Sequence, residues 1–236
     1  MIKKQILTIS FLATTFVGVA GEVDQVVNDT VRLNEVVVTG TMTEVNRKFL
    51  PMTVTSLDKQ ELQGRYTNSV LTALSEQVPG MFVTGRGVIG YGVANGAAGG
   101  MSIRGIGGSP NTQVLVLIDG HPQYMGMMGH PLPDAYESAM AEKIEVVRGP
   151  ASVLYGSNAM AGVVNIVTKK QQQDGVHTYG RAMYGSYNTF SAEAHNAFRR
   201  KGFSSFVSLN YNRTDGHREN SEFDQYGGYA KLGYEF

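Results

Sequence analysis

Metal ligation is the most concrete chemistry that individual side chains of this sequence suggest. Met125, Met127, Met128 and His130 fall within "QYMGMMGHP" (123–131), and His121 lies just upstream. Thioethers and imidazoles suit copper. The same residues also read as the apolar surface of a loop, because no fixed spacing enforces a site. "GRGVIG" (85–90) matches the G-x-G-x-x-G turn of dinucleotide sites. That turn needs a helix to begin within it. The glycines of "YGVANGAAGG", which follows, do not sustain one, so the stretch reads as a Gly-rich loop. Asp119 and Asp134 are the nearest approach to a carboxylate pair, but both fall in loops. There is no nucleophile elbow, no HExxH helix and no cysteine. The sequence does not indicate an enzyme, and no cofactor is expected.

Two kinds of segment must position these residues. Between about Met52 and Lys170 the pattern is α+β. Asp58 and Glu61 form a capping pair for a short helix ending at Gly64. Asn68 is placed to cap a second helix, in which Val70, Leu71, Leu74 and Val78 follow helical spacing until Pro79-Gly80. "MTVTSL", "MFVT", "MSIR", "VLVLI", "KIEVVR" and "VVNIVT" are short strands, and Asp119-Gly120 is a turn.

After Gly175 the texture changes. Phe190, Ala192, Ala194 and Phe198 oppose Ser191, Glu193, His195 and Arg199. Phe203, Val207, Leu209 and Tyr211 oppose Ser204, Ser208, Asn210 and Asn212, with Phe206 out of phase. Tyr226, Ala230, Leu232, Tyr234 and Phe236 oppose Gln225, Lys231 and Glu235. Ten-residue segments of period two with aromatic ends are the signature of an outer-membrane barrel. "RRKG" (199–202) makes a short turn and "TDGHRENSEFD" (214–224) a long one, as such barrels alternate.

The bulk numbers agree. Lys+Arg and Asp+Glu number 20 each, which argues against nucleic acid as a partner. Lys3 and Lys4 precede the apolar "ILTISFLATTFVGV", and Gly18 and Ala20 stand at the −3 and −1 places of a cut after Ala20, the pattern of a cleaved secretory signal at 1–20. Residues 21–45 are polar and read as a flexible tail, apart from "EVVVTG" (35–40). A strand former isolated in such a tail is either an ordinary strand of the domain or a segment that pairs with another protein.

"KIEVVRGPASVLYGSNAMAGVVNIVTKK" (143–170) resembles the closing part of the plug domain of TonB-dependent outer-membrane receptors. "SIRGIG" (102–107) followed by "VLVLIDGHP" (114–122) is similar to that family's central plug signature, and "EVVVTG" to its TonB box. The order of signal, box, plug and barrel strands agrees as well.

The resemblance implies an α+β plug domain at 46–175, followed by antiparallel β-strands of an incomplete outer-membrane β-barrel at 176–236. Plugged transporters have about 22 strands, so the sequence is expected to be the N-terminal part of a longer receptor. The implied function is energised uptake of a scarce nutrient: a ferric siderophore, haem, cobalamin or a metal. A non-transporting signalling or binding protein built on the same plug is the alternative. The implied partners are the energy-coupling protein TonB, outer-membrane lipid and a small nutrient ligand, with the chain a monomer. The box residues Glu35, Val36, Val37, Val38, Thr39 and Gly40 would meet TonB by strand addition. Arg104 and Arg148 match plug arginines that bridge to barrel glutamates. Loops 85–100 and 121–133 would face outward, with Arg86, Tyr91, Asn95, His121 and Tyr124 as candidate substrate contacts.

Overall fold

Runs rich in valine and isoleucine with apolar side chains on both faces form strands that are covered on both sides. The computed structural model describes residues 36–37, 39, 45–46, 51–58, 61–62, 68–85, 87, 89–91, 99–108, 113–123 and 133–236. In it these runs build the centre of the plug. β1 (Val36–Val37) and β2 (Val45–Asn46) pair with one another. β3 (Val54–Leu57), β7 (Val114–Ile118), β8 (His121–Pro122), β9 (Ala141–Arg148) and β10 (Gly162–Thr168) form one sheet of order β3-β9-β10-β7-β8. β10 runs parallel to β7 and antiparallel to β9. β4 (Met81–Val83), β5 (Met101–Ile103) and β6 (Ile106–Gly108) make a small meander beside it.

The central sheet has an apolar cover on each face. On one side Val116, Ile144, Val146, Val164 and Ile166 pack on Val70, Leu71 and Leu74 of helix α1 (Val70–Gln77). Burying one such leucine is worth about 1.5–3 kcal/mol. On the other side Val54, Leu115, Leu117, Val147 and Val163 meet Ala151 and Ala159, which flank the one-turn helix α2 (Ser152–Tyr155).

Local signals explain how these elements start and stop. Asp58 and Glu61 bond reciprocally: each accepts from the other's backbone N–H, at 2.9 and 3.0 Å. That is a capping box at the helical turn around Glu61 and Leu62. For α1 the cap is Ser69 rather than the expected Asn68. Ser69 has extended backbone angles (φ −111°, ψ 139°), and its Oγ accepts from Leu71 N at 3.2 Å. Asn68 is one residue too early; its Oδ1 instead accepts from Ser191 Oγ at 3.1 Å. Asp119-Gly120 joins β7 to β8 with φ values of 48° and 82°, the two positive-φ positions of a type I′ hairpin.

The second large sheet is β11 (Gly175–Gly185), β12 (Thr189–Arg200), β13 (Phe203–Thr214) and β14 (Phe223–Tyr234), antiparallel and in chain order. Lys201-Gly202 closes the β12–β13 hairpin in the same way as Asp119-Gly120, whereas residues 215–222 form a long connection. Among the described residues this sheet is open, with β11 and β14 as its edges. Leu209, Tyr226, Leu232 and Tyr234 are exposed on one face, while Ser191, His195, Ser208 and Asn212 are buried on the other. Phe206, out of phase in the sequence, is only 2% exposed and joins the core cluster of the plug with Ala197. The break in the alternation marks where this sheet changes partner from water and polar groups to the apolar plug.

The expected signal at 1–20 and Glu35, Val38, Gly40, Arg86, Asn95, Tyr124, Met125, Met127, Met128 and His130 lie outside the described residues.

Candidate functional site

The polar inner face of β11–β14 meets the plug along a seam, and its chemistry begins with β14. Alternation sends Gln225, Tyr229 and Lys231 toward the plug. Lys231 Nζ donates to Asp119 Oδ2 at 2.7 Å and to Thr168 Oγ1 at 2.9 Å. Asp119 also accepts from Thr168 N and Oγ1. Burial alone would raise the Asp119 carboxyl, but Lys231 and the two Thr168 donors hold it below its ordinary value. At the other end of β14, Gln225 Nε2 donates to the Asp134 carbonyl at 2.6 Å. Between them Glu137 is 7% exposed, with Asn210 and Glu193 of the strands beside it. Burial raises its carboxyl, and the Glu193 charge adds to that.

A cleft of about 290 Å³ opens beside the Gln225 end. Ser69, Thr72, Tyr91, Asp134, Asn212 and Gln225 supply most of its polar lining. Tyr91 N donates to Asp134 Oδ1 at 2.7 Å, and the Tyr91 hydroxyl lies 3.3 Å from Thr72 Oγ1. Burial pushes the Tyr91 phenol up, so it is a neutral hydrogen-bonding group at physiological pH. The cleft offers oriented hydroxyls, amides and one carboxylate, a lining that can bind a polar ligand and carries no nucleophile paired with a base.

The two candidate substrate residues that are described, Tyr91 and His121, do not converge. Tyr91 lines this cleft, whereas His121 pairs with Ile118 beside Asp119, at the Lys231 end of β14. Gln225 and Lys231 are six residues apart on an extended strand, so the two places are separated by about 20 Å. Asp119 and Asp134 accordingly stand at opposite ends of β14. The described residues of 85–91 are non-helical, and Thr84 and Gly99/Gly100 bond across the base of that loop.

Arg104 sits at the β5–β6 turn with φ 52°, its N–H donating to Gly80 O at 2.7 Å and its side chain exposed. Arg148 Nη1 donates to Pro79 O at 3.3 Å, while its buried Nε has no partner among the described residues. Neither arginine meets a carboxylate of β11–β14.

The segment around β1 has a contact that sequence reasoning missed. Thr39, within the stretch expected to meet TonB by strand addition, is 1% exposed. Its N–H and Oγ1 both donate to Glu145 Oε2, at 2.8 and 2.5 Å, and its carbonyl accepts from the Tyr155 hydroxyl at 2.9 Å. Lys143 pairs with the other Glu145 oxygen. The available signal was Glu145 itself, a carboxylate in the middle of "KIEVVR". A charge in a strand covered on both faces requires partners of its own.

Comparisons with known proteins add to this geometry. A family profile described as the TonB-dependent receptor plug domain matches residues 46–163. An iron-regulated outer membrane virulence protein of Vibrio cholerae serotype O1 is 35% identical over 130 residues, covering 52% of this chain and 18% of that protein. Among solved structures, the pyoverdine outer membrane receptor FpvA of Pseudomonas aeruginosa PAO1 superposes with a TM-score of 0.69 at 16% identity, covering 89% of this chain and 29% of its own. The alcaligin outer membrane receptor FauA of Bordetella pertussis gives 0.67 at 17% identity, covering 85% of this chain and 32% of its own. The chain therefore spans less than a third of each of these proteins.

Proposed function

Because the chain belongs to the family of TonB-dependent receptor plug domains, we propose that it forms the plug and first membrane strands of an outer-membrane receptor for energised uptake of a scarce nutrient. The observation that carries this reading is the two-faced sheet. β11–β14 seat the plug on a polar inner face through Lys231, Gln225 and Ser191, and turn Leu209, Tyr226, Leu232 and Tyr234 outward. An apolar outer band with a polar, filled interior is what a plugged barrel in lipid requires. The nutrient we propose is an iron-carrying chelate, on the support of the iron-regulated relative. Haem, cobalamin and a free metal ion are the alternatives within the same reading. Tyr91 and its cleft are the part of the described plug best suited to a polar ligand.

Residues 35–40 act in this reading as the TonB box. Val36 and Val37 already form a strand, and an extended segment can pair with a sheet edge of the coupling protein. Arg148, whose buried Nε has no partner among the described residues, is the plug arginine best placed to bind a barrel carboxylate. Export depends on cleavage after Ala20, which N-terminal sequencing of the mature protein checks.

Val37→Pro in the intact receptor tests the function. Proline removes a backbone donor and blocks strand addition. Energised uptake of the ferric ligand should vanish while ligand binding at the cell surface persists. Uptake at the wild-type rate would remove residues 35–40 from the coupling role.

A further inference from the structure

We propose that Glu145 is the positioning residue for the coupling segment: together with Tyr155 it forms a three-bond catch that holds Thr39 against the central sheet and limits how much of the segment is free to pair outside the chain. The inference rests on the reading of residues 35–40 as the coupling segment and adds to it a specific hold inside this plug.

Every polar group of Thr39 is used. Its N–H and hydroxyl donate to one oxygen of Glu145, and its carbonyl accepts from Tyr155. Glu145 is fully buried on β9, between β3 and β10. A buried carboxylate is stable only when paired and hydrogen-bonded. Lys143 serves one oxygen and Thr39 the other. Withdrawing Thr39 therefore removes two donors from one oxygen in a place that water does not reach. That makes the hold stronger than two bonds to solvent-exposed acceptors would be. It also fixes where a pull on β1 enters the plug. The bonds cross directly from Thr39 to the centre of β9, 106 residues further along the chain.

The charge on Glu145 supports the catch under ordinary conditions. Burial opposes ionisation, but Lys143 and the two Thr39 donors outweigh it and hold the carboxyl below its usual value. The groups facing it are Lys143 on its own strand, Asn165 paired opposite on β10, Ser56 paired opposite on β3, Tyr155 and Thr39. Because the folded value is depressed, the contribution is complete above the normal carboxylate range and is lost only as pH falls through the folded value.

Hydrogen exchange in the intact receptor, purified in detergent, reads the catch directly through the Thr39 amide. Thr39→Val deletes the hydroxyl bond to Glu145 and leaves the amide bond and the Lys143 pair in place; Tyr155→Phe deletes the bond to the carbonyl and touches none of the bonds that Thr39 and Lys143 make to Glu145. Each should speed exchange at residue 39 by about tenfold and leave β9 and β10 amides unchanged. Glu145→Gln should speed it further. A Thr39 amide that exchanges at the wild-type rate in both Thr39→Val and Tyr155→Phe overturns the proposal. So does acceleration that spreads equally over β9 and β10, which would make the bonds part of general plug stability. A second measurement separates this idea from the function it rests on. Tyr155→Phe lies outside the segment, so in ligand-free receptor it should raise binding of the purified periplasmic domain of TonB several-fold. Faster exchange without tighter binding supports the catch and overturns the assignment of 35–40 as the coupling segment.

Discussion

Lys231 Nζ stands 2.7 Å from Asp119 Oδ2 and 2.9 Å from Thr168 Oγ1, so a single ammonium on β14 ties the ends of β7 and β10 at once. Both partners are partly shielded from water, with side chains 36% and 22% exposed for Lys231 and Asp119. Lys231→Met should therefore cost about 1–3 kcal/mol of plug seating, visible as faster proteolysis in the 169–174 connection. Asp119→Asn should keep the hairpin turn, because asparagine tolerates positive φ, and lose mainly the Lys231 attraction. The Asp119 carboxyl is depressed by Lys231 and Thr168 against the opposing effect of burial. Its contribution is present above the ordinary carboxylate value and lost as pH falls through the folded one. Acid should narrow the gap between wild type and Asp119→Asn.

Glu137 works in the opposite direction. Burial and the nearby Glu193 charge raise its carboxyl, with Asn210 only partly offsetting them. A raised acid stabilises the fold in its protonated form. That contribution is complete below the ordinary value and is lost as pH climbs through the folded value. Glu137→Gln keeps the shape and removes the charge. Thermal unfolding should show the variant more stable than wild type at pH 8 and equal to it near pH 4. A variant less stable at pH 8 would refute the assignment of a strained carboxylate there.

Gly227 and Gly228 are neighbours on β14 with different room. A Cβ at Gly227 would collide with Glu137 Oε1 and with Asn210 Oδ1, while one at Gly228 meets Leu209 Cδ2 at 3.3 Å. Gly227→Ala should displace Glu137 and loosen the seam by about 1–3 kcal/mol, in the range of overpacked sites. Gly228→Ala faces the apolar side and should cost less. The pair can be read by differential scanning fluorimetry on the intact receptor.

Ser69→Ala removes the N-cap of α1 and should cost about 1 kcal/mol. Asn68→Ala deletes only the bond from Ser191 and should leave the helix intact. A larger helical loss from Asn68→Ala, by far-UV circular dichroism, would return the cap to Asn68.

Much of this architecture was legible in the residues. The reciprocal Asp58/Glu61 cap, the Asp119-Gly120 hairpin and the aromatic alternation of β12–β14 are short-range patterns, and each forms where its chemistry points. What escaped was set by groups distant in sequence. Asn68 and Ser69 are both good caps, and Ser191 decides between them by occupying Asn68. The meaning of Phe206 depends on a plug core built earlier in the chain. Thr39 reads only as a residue of the 35–40 box because its partner inside the chain, Glu145, lies beyond any local window. Tyr91 and His121 are grouped because the resemblance has loops 85–100 and 121–133 both facing outward; in the structure Tyr91 lines the cleft, and the β7–β8 hairpin sets His121 beside Asp119 at the Lys231 end.

The order β3-β9-β10-β7-β8 also sets a timetable. β3 has no neighbour in its sheet until β9, and β7 gains its parallel partner only with β10. Such non-local pairings are slow to form because loop closure precedes any gain in contacts. β11 to β14, by contrast, each pair with the next strand in the chain. A chain emerging from its N-terminus must carry β3 unpaired until β9 is complete at residue 148, and β7 paired only with the two-residue β8 until β10 is complete at residue 168. During that interval these strands are the aggregation-exposed part of the molecule. A periplasmic chaperone that holds extended chains should therefore raise the folding yield of the plug, and its binding should centre on β3 and β7 rather than on the later hairpins.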